Sequence, residues 1–230
     1  YSAHNVPSEY GTIQSAVDAA ATTRFSEDMT LTTDDPYTTN TLITNYGYSG
    51  SGDTILVAPG TYTENLVIDD KSIYMISTNG DPASTIIDGN NDGSVIKIGS
   101  WGGMFTLNGF TIQNGNDDYV GGGLSLGRSS NDFGTVNITN NIFKDNHSDY
   151  GGAYFAWSAN GTINRNLFIG NTATYKANAA YLRDYRSVIG LNFYNNTIWD
   201  TSESTSIIRV NNSEHRVINN IIWRVSDQNL

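Results

Sequence analysis

The chain has no cysteine, three histidines and four prolines among 230 residues. Without cysteine there is neither a disulfide frame nor a thiolate metal site, although that absence does not fix the compartment. Three scattered histidines, His4, His147 and His215, are too few for a zinc centre. Basic residues are also scarce: 12 Lys and Arg face 23 Asp and Glu, a net charge of −11. Such a balance repels nucleic acid and anionic membrane, and no basic patch argues otherwise. No run of about 18 apolar residues occurs, so no segment reads as a membrane-spanning helix. No signal peptide is visible, and a chain that opens on Tyr1 looks like a processed or trimmed product, which favours export.

What is abundant is repetition. TVNITNNIFKDN (from Thr135) returns as TINRNLFIGN (Thr162), LNFYNNTIWD (Leu191) and RVINNIIW (Arg216), with TLNGFTIQNG (Thr106) as an earlier, divergent copy. In register, these give one apolar column of Leu107, Ile138, Ile163, Phe193 and Val217, and a second of Ile112, Phe143, Phe168, Ile198 and Ile222. Both columns step by 31, 25, 30 and 24 residues, so insertions fall between copies and not inside them. Another short strand recurs between them, placing Ile96, Leu124, Ala153, Ala180 and Ile208 in a third column. Alternation of apolar and polar residues is the period of a half-buried strand. Short strands every 25 to 30 residues cannot bury their inner face alone; stacking closes it. Asn141, Asn166, Asn196 and Asn220 form a further column, at bends where Asn tolerates left-handed backbone and its amide can bond to neighbouring copies. The expected fold is a right-handed parallel β-helix of about six coils, one domain over residues 1–230.

At the start, Ile13, Ala16, Val17 and Ala20 lie on one helical stripe, so residues 11–21 are expected to cap the open end. Coils run from 52 to 230. YGTIQSAVDAA followed by GDTILVAPGTYTENLVI resembles the opening of the pectin lyase-like parallel β-helix superfamily. NGFTIQNG, GGGLSL, NNIFKDN and YGGAYF are similar to the repeats of secreted and surface-anchored bacterial and archaeal proteins. The resemblance covers nearly all of the chain except residues 22–51, and it implies fold far more than function.

Two features depart from that pattern. Residues 22–51 form a polar and aromatic insertion where the superfamily has a short join, and Tyr37, Tyr46 and Tyr48 make it unlike a flexible linker. It is expected to pack on the solenoid flank or to serve as a contact arm. The final stretch, INNIIWRVSDQNL, ends without a closing helix, and uncovered strand edges invite pairing. Asn220 and Trp223 at that end, with the three tyrosines, are the candidate assembly residues.

Catalytic motifs are incomplete. GTYTENL resembles the first block of pectin methylesterases, yet their QDTL, DFIFG and LGRPW blocks do not follow. Asn116-Asp117-Asp118 resembles a polygalacturonase acidic block without its Gly-His-Gly and Arg-Ile-Lys partners, and reads as a solvated turn. The pectate lyase WxDH and RxPxxR blocks are missing. His147 reads as an exposed corner-loop residue. Asp88, Asn90, Asp92 and Gly93 match half of a calcium loop, but Gly99 stands where the bidentate Glu belongs, so a tight turn is the better reading and calcium only a weak alternative. Five sequons, at Asn137, Asn146, Asn160, Asn195 and Asn211, are about as many as composition alone would produce.

With the third column pointing inward, Lys97, Ser125, Tyr154, Tyr181 and Arg209 should form an outward row, with Arg183 one step further along. Aromatic rings beside basic groups suit sugar stacking or a protein contact better than proton abstraction. Lys97, Tyr154, Tyr181, Arg183 and Arg209 are therefore the candidate ligand face, and no catalytic residue is assigned. The expected protein is an extracellular or cell-surface, non-catalytic β-helix, either a self-assembling structural subunit or an adhesin, associating end to end. The alternative is a polysaccharide lyase-like enzyme or a sugar-binding module.

Overall fold

The computed structural model describes residues 2–21, 24–30, 42–48, 52–99, 103–127, 134–183, 190–202, 205–211 and 214–225. It is an all-β parallel solenoid of about five turns with one short helix. Three long parallel sheets wrap the core. The eight-stranded sheet runs from Ala3–Val6 through Asp53–Val57 to Arg216–Ile218. The seven-stranded sheet runs from Gly60–Thr63 to Ile221–Arg224, and the six-stranded sheet from Leu66–Ile68 to Ile208–Asn211.

Strand pairing reproduces the first two expected columns. Leu107, Ile138, Ile163, Phe193 and Val217 are successive partners in the eight-stranded sheet. Ile112, Phe143, Phe168, Ile198 and Ile222 are partners in the seven-stranded one. Inside, Phe143 and Phe168 stack with ring centroids 5.0 Å apart, and Phe168 meets Phe193 at 5.5 Å. These three rings are almost wholly buried, so burial in the stack offsets the entropy of ordering each short strand.

The asparagine column is a hydrogen-bonded ladder. Each Oδ1 accepts the backbone N–H of the corner residue one coil earlier: Asn141 from Phe110, Asn166 from Asn141, Asn196 from Asn166, Asn220 from Asn196. Each Nδ2 donates back to a strand carbonyl, as Asn166 does to Ile138. The left-handed backbone lies one residue earlier, at Asn140, Arg165, Asn195 and Asn219, so bending and bridging fall to adjacent residues. A second ladder, unanticipated, links Gly115, Asn146 and Asn171.

The cap forms as expected. The helix Ile13–Ala19 starts at Thr12, whose side chain accepts from Ser15 in a capping box, and it buries Ile13, Ala16 and Val17. Glu64 accepts from the N–H groups of Ile13 and Gln14, so the glutamate of GTYTENL holds the cap in place. The Gln14 amide bonds both ways with the Val67 backbone, occupying part of the first coil's edge.

Within the insertion, Arg24–Thr30 and Leu42–Tyr48 pair antiparallel. Two expectations need correction. The corners carrying Asn116 to Asp118 and His147 are strands. Asn116–Val120, His147–Tyr150 and Thr172–Lys176 make a three-stranded parallel sheet beside the six-stranded one. In the third column, Ala153 is displaced: Leu124 pairs with Tyr154, and Tyr154 with Ala180. Tyr154 therefore points into the core with no exposure, and Phe155 takes the outward place. In Ala153-Tyr154-Phe155 both parities are apolar, so alternation cannot choose between them. The small Ala180 opposite leaves room inside for the larger ring.

Candidate aromatic cleft

The outward row on the six-stranded sheet is Lys97, Ser125, Phe155, Tyr181 and Arg209. Two residues on, Trp157, Arg183 and Asn211 make a parallel row. The three-stranded sheet stands beside them as a wall and brings Tyr119, Tyr150 and Lys176 to the same groove. Without that wall the row would be an ordinary exposed sheet face.

Two hollows, of about 270 and 240 Å³, share Tyr119, Val120, Phe155 and Trp157 and so read as one cleft with two lobes. Its floor is a small hydrophobic cluster separate from the core, built on Phe155, Ala177 and Tyr181. The rings brace one another: Phe155 to Tyr181 at 5.5 Å edge-on, Tyr150 to Tyr181 at 6.0 Å, and Tyr119 to Tyr150 at 5.9 Å. Tyr119 is nonetheless more than half exposed, leaving aromatic surface open to a ligand.

Polar groups mark the two lobes. In the first, the Lys97 ammonium sits 3.3 Å from the Asp117 carboxylate. Burial alone would push Asp117 up, but the N–H groups of Tyr119 and Val120, the Lys97 charge and the Ser94 hydroxyl outweigh it and hold the carboxyl below its usual range. In the second, the Arg183 guanidinium lies 4.3 Å over the Trp157 ring. The Tyr181 hydroxyl accepts from the Asn211 amide, whose oxygen accepts from Arg209 Nε.

The structure thus brings together Lys97, Tyr181 and Arg183, with Arg209 tied to them through Asn211, and it excludes Tyr154. Sequence reasoning missed Trp157, Phe155, Tyr119, Tyr150, Lys176 and Asp117. YFAW carried the signal for the first two, since it offers aromatic residues at alternate positions; the others needed the extra sheet. Asp117 supplies the acidic partner for Lys97 that the linear reading did not find.

Other singled-out residues have structural partners. Asp88 accepts from Asn90 N–H, Gln113 and Asn114, which fits the tight turn. Among the described residues no cluster of three or more His, Asp and Glu is arranged to hold a metal ion. His147 bonds Thr172 across the extra sheet, and His4 bridges Tyr10 and Asp53. Asn146 is buried in its ladder, which leaves no room for a glycan. Asn137 is exposed, and its side chain accepts from Thr162.

For assembly, Tyr37 lies outside the described residues, and Tyr46 and Tyr48 lie on the strand Leu42–Tyr48. Asn220 extends the ladder and donates to Phe193. Trp223 faces outward from the seven-stranded sheet, stacked on Trp199 at 6.0 Å, and so lies on the solenoid's flank and not across its open end. Among the described residues no helix is long and apolar enough to cross a membrane.

Fold and cleft together define a parallel β-solenoid with an aromatic groove on one flank. No protein-family model, curated protein or solved structure matches the chain, so the functional reading rests on its own geometry.

Proposed function

We propose that this protein is a non-catalytic, glycan-binding β-solenoid of the adhesin type, working outside the cell or on its surface. The carrying observation is the braced aromatic cleft. Flat rings at its floor and rim suit the apolar faces of sugar rings, while Lys97, Asp117, Arg183 and Asn211 offer donors and acceptors for hydroxyl groups. Four steps of strand pairing separate Lys97 from Arg209, a run of about 19 Å that accommodates a short oligosaccharide. Membership in the pectin lyase-like superfamily and a right-handed coil are part of this proposal, on the sequence resemblance. The protein is proposed to lack a catalytic centre because Lys97 and Asp117 act as a paired hydrogen-bonding anchor.

The test is direct. Wild-type protein should bind oligosaccharides on a glycan array and in calorimetry without cleaving them, and Trp157→Ala should abolish binding while leaving the fold intact. Release of unsaturated sugar ends would overturn the non-catalytic part; binding untouched by Trp157→Ala would overturn the cleft.

Self-association is a second reading, favoured by the exposure of Trp199, Ile221 and Trp223 together on the outward face of the seven-stranded sheet. Light scattering on wild type and Ile221→Lys checks it: a monomer in both would end it.

A further inference from the structure

The polar groups of the first lobe are one-sided, and that narrows the ligand. Asp117 Oδ1 accepts the backbone N–H groups of Tyr119 and Val120, at 2.9 and 3.0 Å. Its Oδ2 accepts from the Ser94 hydroxyl at 3.0 Å and from Lys97 Nζ at 3.3 Å. Each carboxylate oxygen therefore already accepts two hydrogen bonds, which fills its lone-pair sites. The Lys97 ammonium carries three N–H donors and gives one to Asp117, so two face the groove. Around them the lobe, a hollow of about 270 Å³, is walled by Tyr119, Val120, Phe155 and Trp157, and by Gly127, which brings no side chain.

From this imbalance, and resting on the glycan-binding reading above, we propose that the first lobe selects a 2-acetamido sugar, with Lys97 donating to the amide carbonyl and the methyl group packed on the surrounding apolar surface. A sugar hydroxyl both donates and accepts. Placed here it would find a donor in Lys97 but no open carboxylate for its own proton, and an O–H left unpaired away from water is penalised. An amide carbonyl only accepts, so Lys97 satisfies it, while the methyl group covers apolar wall that a hydroxyl would leave bare. In the planar trans amide the N–H points away from the carbonyl, toward the open side of the groove, where water accepts from it. A carboxylate also only accepts, but Asp117 stands against it. Its own carboxyl is held below the usual range, so it stays ionised and repels a second negative charge. Asp117 is thus a positioning residue: it fixes where the Lys97 ammonium sits and offsets its charge, and Lys97 makes the contact.

Calorimetry on the whole chain tests this with matched oligosaccharides that differ at C2 alone. Chitotetraose is compared with cellotetraose, and an N-acetylgalactosamine oligomer with its galactose counterpart; tetragalacturonate serves as the anionic acceptor. The acetamido member of a pair should bind about tenfold tighter, the ratio expected for one hydrogen bond from a charged donor. Lys97→Met should bring the members of a pair together. Asp117→Asn should shrink the preference, and adding it to Lys97→Met should change the ratio no further, because the two residues act as one unit. Equal binding of both members by the wild type, a preference surviving Lys97→Met, an Asp117→Asn variant that weakens both members alike, or tetragalacturonate binding tightest would each overturn this assignment and leave the glycan reading standing. Binding to none of the saccharides would overturn that reading as well.

Discussion

Two surfaces of one β-coil stack are built by opposite rules. Toward the core, the coils of the eight- and seven-stranded sheets repeat their neighbours: Phe143 lies against Phe168, Ile138 against Ile163, and Asn166 bridges Asn141 and Asn196. Along the cleft, no coil repeats the last: Lys97, Ser125, Phe155, Tyr181 and Arg209 differ in size, charge and polarity. Repetition serves stability, since like side chains stack in register and each ladder amide finds its partner. Variation serves recognition, because a groove of identical rungs would have no ends to tell apart. Substitutions inside should therefore change stability, and those in the cleft should change binding.

The largest effect is expected inside. Phe168→Ala removes the ring between Phe143 and Phe193 and should cost about 3–5 kcal/mol, since its neighbours refill the cavity only in part. Thermal unfolding should shift down by about 10 °C. A shift no larger than that of a surface alanine would break the comparison.

Asn166→Ala comes next, at about 3 kcal/mol, because it strands the Asn141 N–H and the Ile138 carbonyl away from water. Asn166→Asp keeps the acceptor but loses the donor to Ile138, so it should not rescue stability at neutral pH. Chemical denaturation of both variants checks this. Rescue by Asp would show that only the N–H matters.

Replacing an exposed cleft residue such as Tyr119 should leave the unfolding midpoint nearly unchanged, whereas Asp117 carries stability as well. Acid titration sharpens this for Asp117. Its folded-state carboxyl titrates below the usual range, so its stabilising contribution is present above the ordinary Asp value, near 3.9, and is lost as pH falls through the lowered one. Asp117→Asn should therefore flatten part of the acid limb of stability against pH. Asp53 and Asp88, also held low, should keep the remainder of that limb.

The smallest effect is Tyr154→Phe. The Tyr154 hydroxyl is buried in the core with no hydrogen-bond partner among the described residues, so removing it should stabilise by up to about 1 kcal/mol or leave stability unchanged. A clear destabilisation in urea would mean that the hydroxyl has a partner.

Much of the solenoid was legible because stacking imposes like residues at like positions. Phe143, Phe168 and Ile198 recur with the same offsets as Ile138, Ile163 and Phe193, as the stacking of successive coils requires. The asparagine ladder was legible for the same reason. The cleft was only half legible. Lys97, Tyr181 and Arg183 stood in an outward row, but Tyr154 was misplaced because Ala153, Tyr154 and Phe155 are apolar in both parities. Asp117, Tyr119 and Lys176 were invisible as partners, since they approach the row from strands that looked like corner loops.

By itself, then, the sequence determined the repeat, the cap and the members of the first two apolar columns and of the asparagine column, because these depend on periodicity and on contacts between equivalent positions. Tertiary structure alone decided which side Tyr154 faces and that a fourth sheet walls the outward row into a groove. Those outcomes depend on how much room Ala180 leaves inside, and on whether polar corner segments such as Asn116–Val120 find neighbouring strands to pair with. Neither is a property of any single stretch of chain.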